Sequence, residues 1–293
     1  MPTYNKICGS DAQVSNTGFT KPDCLESLLE LPIISDGYAF ATVTAFETVA
    51  TWKAAIVAKN LVPLFQAYEV ADASTEDTFY ESGNFKKRTV KGAEILTAEM
   101  YLSVCAYSTL KTYEDNNTFI ELFEFNEDGD YSGVYDADGV RVRGRKIKSL
   151  RVNRIRATKE KVPFVTIEIV FDDKDDILGA VLTKSDLTKD DLDGIYDVVL
   201  VQEGTASATS IKFKAFSFCA GGAQVTDLLD ADLDLLDVSG TTHAHTFVAP
   251  DSEGIYEFTG VAFLSDFTVV GVGVIEKTDI IYEIPVPLTI VVT

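Results

Sequence analysis

Residues 161–171, KVPFVTIEIVF, repeat with a period of two. Val165, Ile167, Ile169 and Phe171 fall on one side of an extended backbone, with Thr166, Glu168 and Val170 on the other. That is the spacing of a strand with one face on a core, not of an amphipathic helix. FIELFEF (119–125) alternates in the same way and runs into the turn formers Asn126-Glu127-Asp128-Gly129. YSGVYD and ADGVRVRG then read as a hairpin closed by Asp138-Gly139. Past residue 195 come YDVVLVQ, TSIKFKAFSF, DLDLLDV, HAHTFVA, GIYEFTGVAFL, DFTVVGVGVI and IIYEIPVPLTIVV, separated by polar turns. The 18 Phe and 12 Tyr suit such strands.

Two segments read as helix instead. In TAFETVATWKAAIVAKNLVP (44–63), Thr44 and Glu47 have capping-box spacing, Val49, Trp52, Ile56 and Val57 recur at helical intervals, and Pro63 marks the stop. In TAEMYLSVCAYSTLKTY (97–113), Thr97 is the expected cap, and Leu102, Cys105, Ala106 and Leu110 form the apolar face. The acidic, turn-rich stretch DDKDDILGAVLTKSDLTKDDLDG (172–194) breaks the strand pattern, and a boundary is expected within 178–195. The short strands beyond it match an antiparallel sandwich of immunoglobulin type, without that fold's Cys…Trp…Cys signature. The expected organisation is an N-terminal arm (1–30), a β domain (31–180) and an immunoglobulin-like domain (181–293). The expected fold class is thus mainly β, a β-rich α+β chain: a sandwich or barrel with one or two flanking helices, then a second sandwich.

Composition bounds the function. A net charge of −21, concentrated in residues 172–293 with 22 acidic against six basic side chains, repels nucleic acid phosphates. Cys8, Cys24, Cys105 and Cys219 are widely spaced, and they are expected to be reduced thiols. MPTYNKICGSDAQ has neither the basic start nor the apolar run of a signal peptide, and no apolar stretch approaches a membrane span, so a soluble intracellular product is expected.

Catalytic patterns are sparse. His243 and His245 share one strand face, but two ligands are too few for a metal site. The clusters Asp172, Asp173, Asp175, Asp176 and Asp227, Asp230, Asp232, Asp234, Asp237 do not follow the EF-hand order, and solvated loops account for them. Phosphate-binding glycine loops and GxSxG are missing. The expectation is no enzyme, no metal and no cofactor.

Against this acidity, RVRGRKIKSLRVNRIR (141–156) carries eight of the 25 basic residues and every arginine except Arg88. Arg141, Arg143 and Arg145 lie on one face with Val140 and Val142 on the other. Leu150 and Val152 continue the apolar side opposite Arg151, and Arg154, Ile155 and Arg156 invert the parity, which implies a bulge near Asn153. A solvated face is one reading of this stripe. Nucleic-acid binding is another, although no aromatic residue is interleaved for stacking. The third is an acidic protein partner, for which another copy of this chain is the best-matched surface. Head-to-tail contacts of that kind build rings or filaments.

TWKAAIVAKNLVPLFQAYEV, the segment AEMYLSVCAYSTLKTYE, and KIKSLRVNRIRATKEKVPFVTIEIVFDD together resemble the tail tube protein of long-tailed bacteriophages, over roughly residues 35–175. The resemblance implies a structural virion protein whose sheet-based domain packs into hexameric rings that stack into a conduit for DNA ejection. An immunoglobulin-like C-terminal domain would be displayed outside, with a weak surface ligand as its possible task. It implies location in the virion tail after assembly in the host cytoplasm. The implied partners are copies of itself and other tail proteins, with no membrane and with DNA passing unbound. Arg141, Arg143, Arg145, Arg151, Arg154 and Arg156 would contact a neighbouring subunit, and Glu121 and Glu124 would line the lumen. Residues 71–92 would be a loop reaching the next subunit or ring, and residues 1–24 an arm doing the same. The alternative is a capsid decoration protein or another ring or adhesion component of a virion; a cell-surface adhesin and a β-rich carbohydrate hydrolase rank below it.

Overall fold

The alternating segments do form strands, and the chain is β-rich. The computed structural model describes residues 6–8, 28–82, 85–114, 116–127, 129–184, 187–218, 222–260, 263, 265–277 and 280–292, with backbone alone at 6–8, 178, 184 and 190. Two units divide it, Met1–Gly194 and Ile195–Thr293.

In the first unit the strands are β1 (Lys6–Cys8), β2 (Leu29–Ser35), β3 (Ala39–Phe40), β4 (Leu61–Pro63), β5 (Glu69–Asp72), β6 (Thr78–Ser82), β7 (Phe85–Val90) and β8 (Ile95–Met100), then β9 (Glu121–Asn126), β10 (Asp130–Tyr135), β11 (Val142–Arg143), β12 (Arg145–Ile155), β13 (Phe164–Phe171) and β14 (Ala180–Lys184). The main sheet runs β1-β14-β10-β9-β12-β13-β8-β5, with β2 and β4 attached through β9, and β11 and β3 through β10. Antiparallel register aligns the predicted apolar faces into rows: Leu150 lies opposite Ile169 and Ile169 opposite Leu96, while Val152 lies opposite Ile167 and Ile167 opposite Ala98. These rows form a buried core with Ile34, Leu64 and Leu110. Each large aliphatic side chain so buried contributes about 1.5–3 kcal/mol.

The first predicted helix is split into α1 (Val43–Phe46) and α2 (Val49–Val57). Thr42, not Thr44, caps α1 by accepting from the Ala45 N–H. Glu47 is not part of a capping box; it accepts a 2.9 Å hydrogen bond from the Thr183 hydroxyl and so ties α1 to β14. The break lets Trp52 sit fully buried among Phe40, Phe46, Phe123 and Tyr131, with its indole N–H donating to the Phe46 carbonyl at 2.6 Å. The α2 helix stops well before Pro63. Lys59 takes φ +61°, and Asn60 N–H bonds back to Ala55 O and Lys59 N–H to Ile56 O, the Schellman closure.

The second predicted helix starts later than its sequence suggests. Thr97–Met100 belong to β8, because Ala98 and Met100 bury their side chains opposite β13. Ser103 caps α3 (Val104–Lys111), accepting from the Ala106 N–H at 3.1 Å. Cys105 is disulfide-bonded, which corrects the expectation of reduced thiols at this position; its partner lies outside the described side chains.

The unit boundary falls at 194/195 rather than 180/181. The acidic stretch hides β14, whose Val181, Leu182 and Thr183 are buried and pair with β10. The expected arm is also not all arm: Lys6–Cys8 pairs with β14, and Leu29 and Glu30 open β2, while residues 9–27 are outside the described residues.

The second unit has β15 (Ile195–Gln202), β16 (Ser210–Ser217), β17 (Gln224–Val225), β18 (Leu233–Leu236), β19 (Thr246–Val248), β20 (Tyr256–Thr259), β21 (Phe267–Gly271), β22 (Val274–Glu276), β23 (Ile281–Glu283) and β24 (Leu288–Ile290). One sheet runs β19-β20-β16-β15-β23-β22 with β17 on β16, and the other runs β18-β21-β24. Val198, Phe213 and Phe258 from the first share one core with Leu235, Val269 and Ile290 from the second. DFTVVGVGVI is two strands, parted where Gly273 takes φ +66°, and IIYEIPVPLTIVV is two strands parted at Pro285–Pro287.

Candidate interaction surface

The arginine segment begins in the β10–β11 turn. Gly139 takes φ +67°, and Asp138 Oδ1 accepts from the Val140 and Arg141 N–H groups at 2.9 Å each. Arg141 closes the turn, with Nε 2.6 Å from Asp138 Oδ2 and Nη2 2.5 Å from Asp136 Oδ2. The hydrogen bond from the Arg141 side chain, then those from the turn amides, hold the Asp138 carboxyl down at about 2.

Arg143 and Arg145 are also occupied within the protomer. Arg143 forks onto Asp176 at 2.7 and 3.0 Å and donates to the Gly144 carbonyl at 2.7 Å. Arg145 is buried; its guanidinium carbon lies 3.9 Å above the Phe171 ring, and Nη2 is 2.7 Å from Glu94. Glu124 stands 3.9 Å from the other side of that guanidinium. Glu121 is 4% exposed, and its Oε2 has no hydrogen-bond partner. Burial pushes its carboxyl up to about 7, against the opposing pull of Arg143 and Lys146. Neither glutamate offers a free carboxylate to solvent in the protomer.

Past this point the stripe changes character. The bulge falls between Ile147 and Ser149, where β12 first meets β13, and not near Asn153; from Ser149 to Ile155 the register is unbroken. The parity inverts at Arg154 for another reason: Asn153, Arg154 and Ile155 at the end of β12 are all exposed, while Val165 and Phe164 opposite Arg154 and Ile155 stay buried. Arg151 pairs across the strand with Glu168 at 3.3 Å. Arg154 and Arg156 are exposed, and their side chains have no ion partner among the described residues. Ile155 and Val162 are exposed beside them, at 41% and 60%. Of six arginines grouped by sequence, the fold therefore spends Arg141, Arg143 and Arg145 internally and presents Arg154 and Arg156 outward.

The described residues of 71–92 form a ribbon rather than a loop. The β6–β7 ladder runs from Thr78 opposite Val90 to Ser82 opposite Phe85, and every residue of both strands is exposed. Phe79, Tyr80, Phe85 and Val90 are 44–60% exposed on it. The composition is polar enough to pass for a loop; the available cue was the spacing in TFYES and FKKRTV on either side of Ser82-Gly83-Asn84. A two-stranded ribbon with bare aromatic side chains is marginal in water by itself.

The acidic clusters are absorbed by ion pairs and turns: Asp173 and Asp175 bind Lys91, Asp232 binds Lys277, and Asp237 accepts from the Ser239 and Thr241 amides. His245 Nδ1 is 2.8 Å from the His243 carbonyl, and its Nε2 is 3.2 Å from Asp230, while His243 packs on Phe263 and Phe267. Among the described residues no group of three His, Cys, Asp or Glu side chains is placed to hold a metal ion. No helix among them is long and apolar enough to cross a membrane. Comparison with protein-family models and with curated proteins finds no match for this chain.

Proposed function

We propose that this chain is a structural protein that assembles with copies of itself, as a ring-forming subunit of a bacteriophage tail tube. The observation that carries the reading is the pair of surfaces left over once the protomer's internal pairings are made. One is the β12–β13 hairpin end with Arg154 and Arg156; the other is the β6–β7 arm with its bare aromatic rings. Cationic groups at one end of a strongly acidic chain favour a contact between unlike surfaces, and repeated contacts of that kind close into rings or grow into filaments.

The tail-tube assignment rests in addition on the resemblance of residues 35–175 and on the β-rich fold. In this reading the second unit is an appended outward module, and DNA passes without specific binding because the protein is acidic overall. Negative-stain electron microscopy of the purified chain across protein and salt concentration tests it. Six-fold rings or hollow tubes are expected, and dispersed protomers at every condition speak against the reading.

A further inference from the structure

The arm and the sheet are one continuous ribbon with an irregular joint. Strands β5 and β8 pair through Asp72 opposite Leu96, and β6 and β7 resume at Thr78 opposite Val90. Between them, residues 73–77 and 91–94 are outside regular strand but remain hydrogen-bonded. Ala73 N–H donates to Ile95 O at 2.9 Å, Thr75 N–H to Ala93 O at 2.8 Å, and Ala93 N–H to the Thr75 hydroxyl at 2.9 Å. The backbones approach so closely here that a Cβ on Gly92 would lie 2.0 Å from the Thr75 carbonyl oxygen.

Charged groups at this joint are tied to another part of the unit. Asp77 receives Lys174 at 2.8 Å, Arg88 at 3.1 Å and the Gly92 N–H at 2.8 Å. Lys91 lies 2.7 Å from Asp175 and also pairs with Asp173. Lys174 and Asp175 begin the 3-10 turn Lys174–Gly179, with Asp173 capping it; Asp176 in the same turn is gripped by Arg143 and accepts from the Lys146 N–H at 3.3 Å. Beyond the joint, the ion pairs and side-chain hydrogen bonds of the described arm residues stay within the arm and its root: Lys86 with Glu81 and the Phe79 ring, Arg88 with Asp77, and the Thr89 hydroxyl with Thr78 O.

We propose that residues 73–77 and 91–94 are a hinge, and that Asp77 and Lys91, clamped on the turn at 173–175, are an electrostatic latch that fixes the direction of the arm. The arm then has a latched state and a swinging state, and their balance is set by ion pairs at its root rather than by packing along its length. A few residues at element ends are the usual place for such motion. Each strand of the ribbon carries one of the contacts to that turn, Asp77 to Lys174 and Lys91 to Asp173 and Asp175, so neither strand can swing at the joint without breaking an ion pair. Partial exposure of both contacts makes the latch sensitive to salt. The inference does not depend on what the arm touches in an assembly.

Hydrogen–deuterium exchange on the full-length chain at low protein concentration tests it. Asp77→Asn, and separately Lys174→Met, are expected to speed exchange at Thr75, Gly92 and Ala93 and along β6–β7 by roughly tenfold, with β12–β13 amides unchanged. Raised salt should move the unmodified chain the same way and the two variants less, since they keep only the Lys91 pairs with the turn. Unchanged protection at the joint in both variants overturns the latch. Loss of protection throughout the first unit in both variants also overturns it, because the cluster would then hold the sheet and not the arm.

Discussion

Arg143 meets Asp176 through two parallel hydrogen bonds, Nη2 to Oδ1 at 2.7 Å and Nη1 to Oδ2 at 3.0 Å, with both side chains largely shielded from water. This fork fixes the 3-10 turn against the β10–β11 hairpin. Replacing Arg143 by Ala leaves Asp176 charged and shielded, a loss of about 3 kcal/mol of unfolding free energy. Lys at this position keeps the charge but not the fork and recovers only part of the loss. Urea titration followed by Trp52 fluorescence reads the difference. Burial raises the Asp176 carboxyl, but the hydrogen bond and charge of Arg143 outweigh it, and the group ends below its ordinary value. The fork's contribution is thus present above the ordinary carboxylate range and is lost as pH falls through the depressed folded value.

Glu121 has the opposite sign. Arg143 and Lys146 attract its charge, Asp136 and Asp176 repel it, and burial decides, putting the carboxyl at about 7 in the fold against 4.5 as a free side chain. The folded state therefore holds the proton more tightly. Stability from this group is full below about 4.5 and declines as pH rises to about 7. Glu121→Gln is expected to gain on the order of 2 kcal/mol over the unmodified chain at pH 8 and little at pH 4. Parallel thermal melts at the two pH values check it, and a constant difference contradicts it.

Lys59 holds φ +61° at the end of α2, a conformation that glycine reaches without a side-chain penalty. Lys59→Gly is expected to stabilise the first unit by about 0.5–1 kcal/mol. A lower melting temperature for the variant contradicts this.

The 194/195 boundary predicts how the chain can be cut. A fragment ending at Gly194 keeps β14 and should unfold cooperatively, with Trp52 reporting the transition. One ending at Gly179 lacks the buried Val181, Leu182 and Thr183 and strips β10 of its β14 neighbour, so it should be unfolded or aggregated. Circular dichroism and urea titration of the two fragments distinguish these outcomes.

Strand content and core rows were legible because period-two alternation survives folding: Val165, Ile167 and Ile169 face the core as their spacing says. Helix starts were not. Thr44 and Thr97 are good caps in isolation, but pairing to β13 claimed Thr97–Met100 and packing around Trp52 broke the helix at Thr48. The arginine stripe was legible as a cluster and not as a surface. Its alternation carries no sign that Asp176 and Glu94, distant in sequence, return to Arg143 and Arg145. What sequence could not supply was the subtraction: Arg154 and Arg156 stand out only after the other pairings are known.

Those two residues allow the most direct test of self-assembly. Sedimentation velocity combined with negative-stain microscopy should be run on the unmodified chain and on Arg154→Glu/Arg156→Glu, with Arg141→Glu as the control for a turn arginine already paired within the protomer. Ring-sized species are expected for the unmodified chain and for the control, and protomers for the double variant with its melting temperature unchanged. Equal assembly of the double variant and the unmodified chain would rule out a contact through these two arginines.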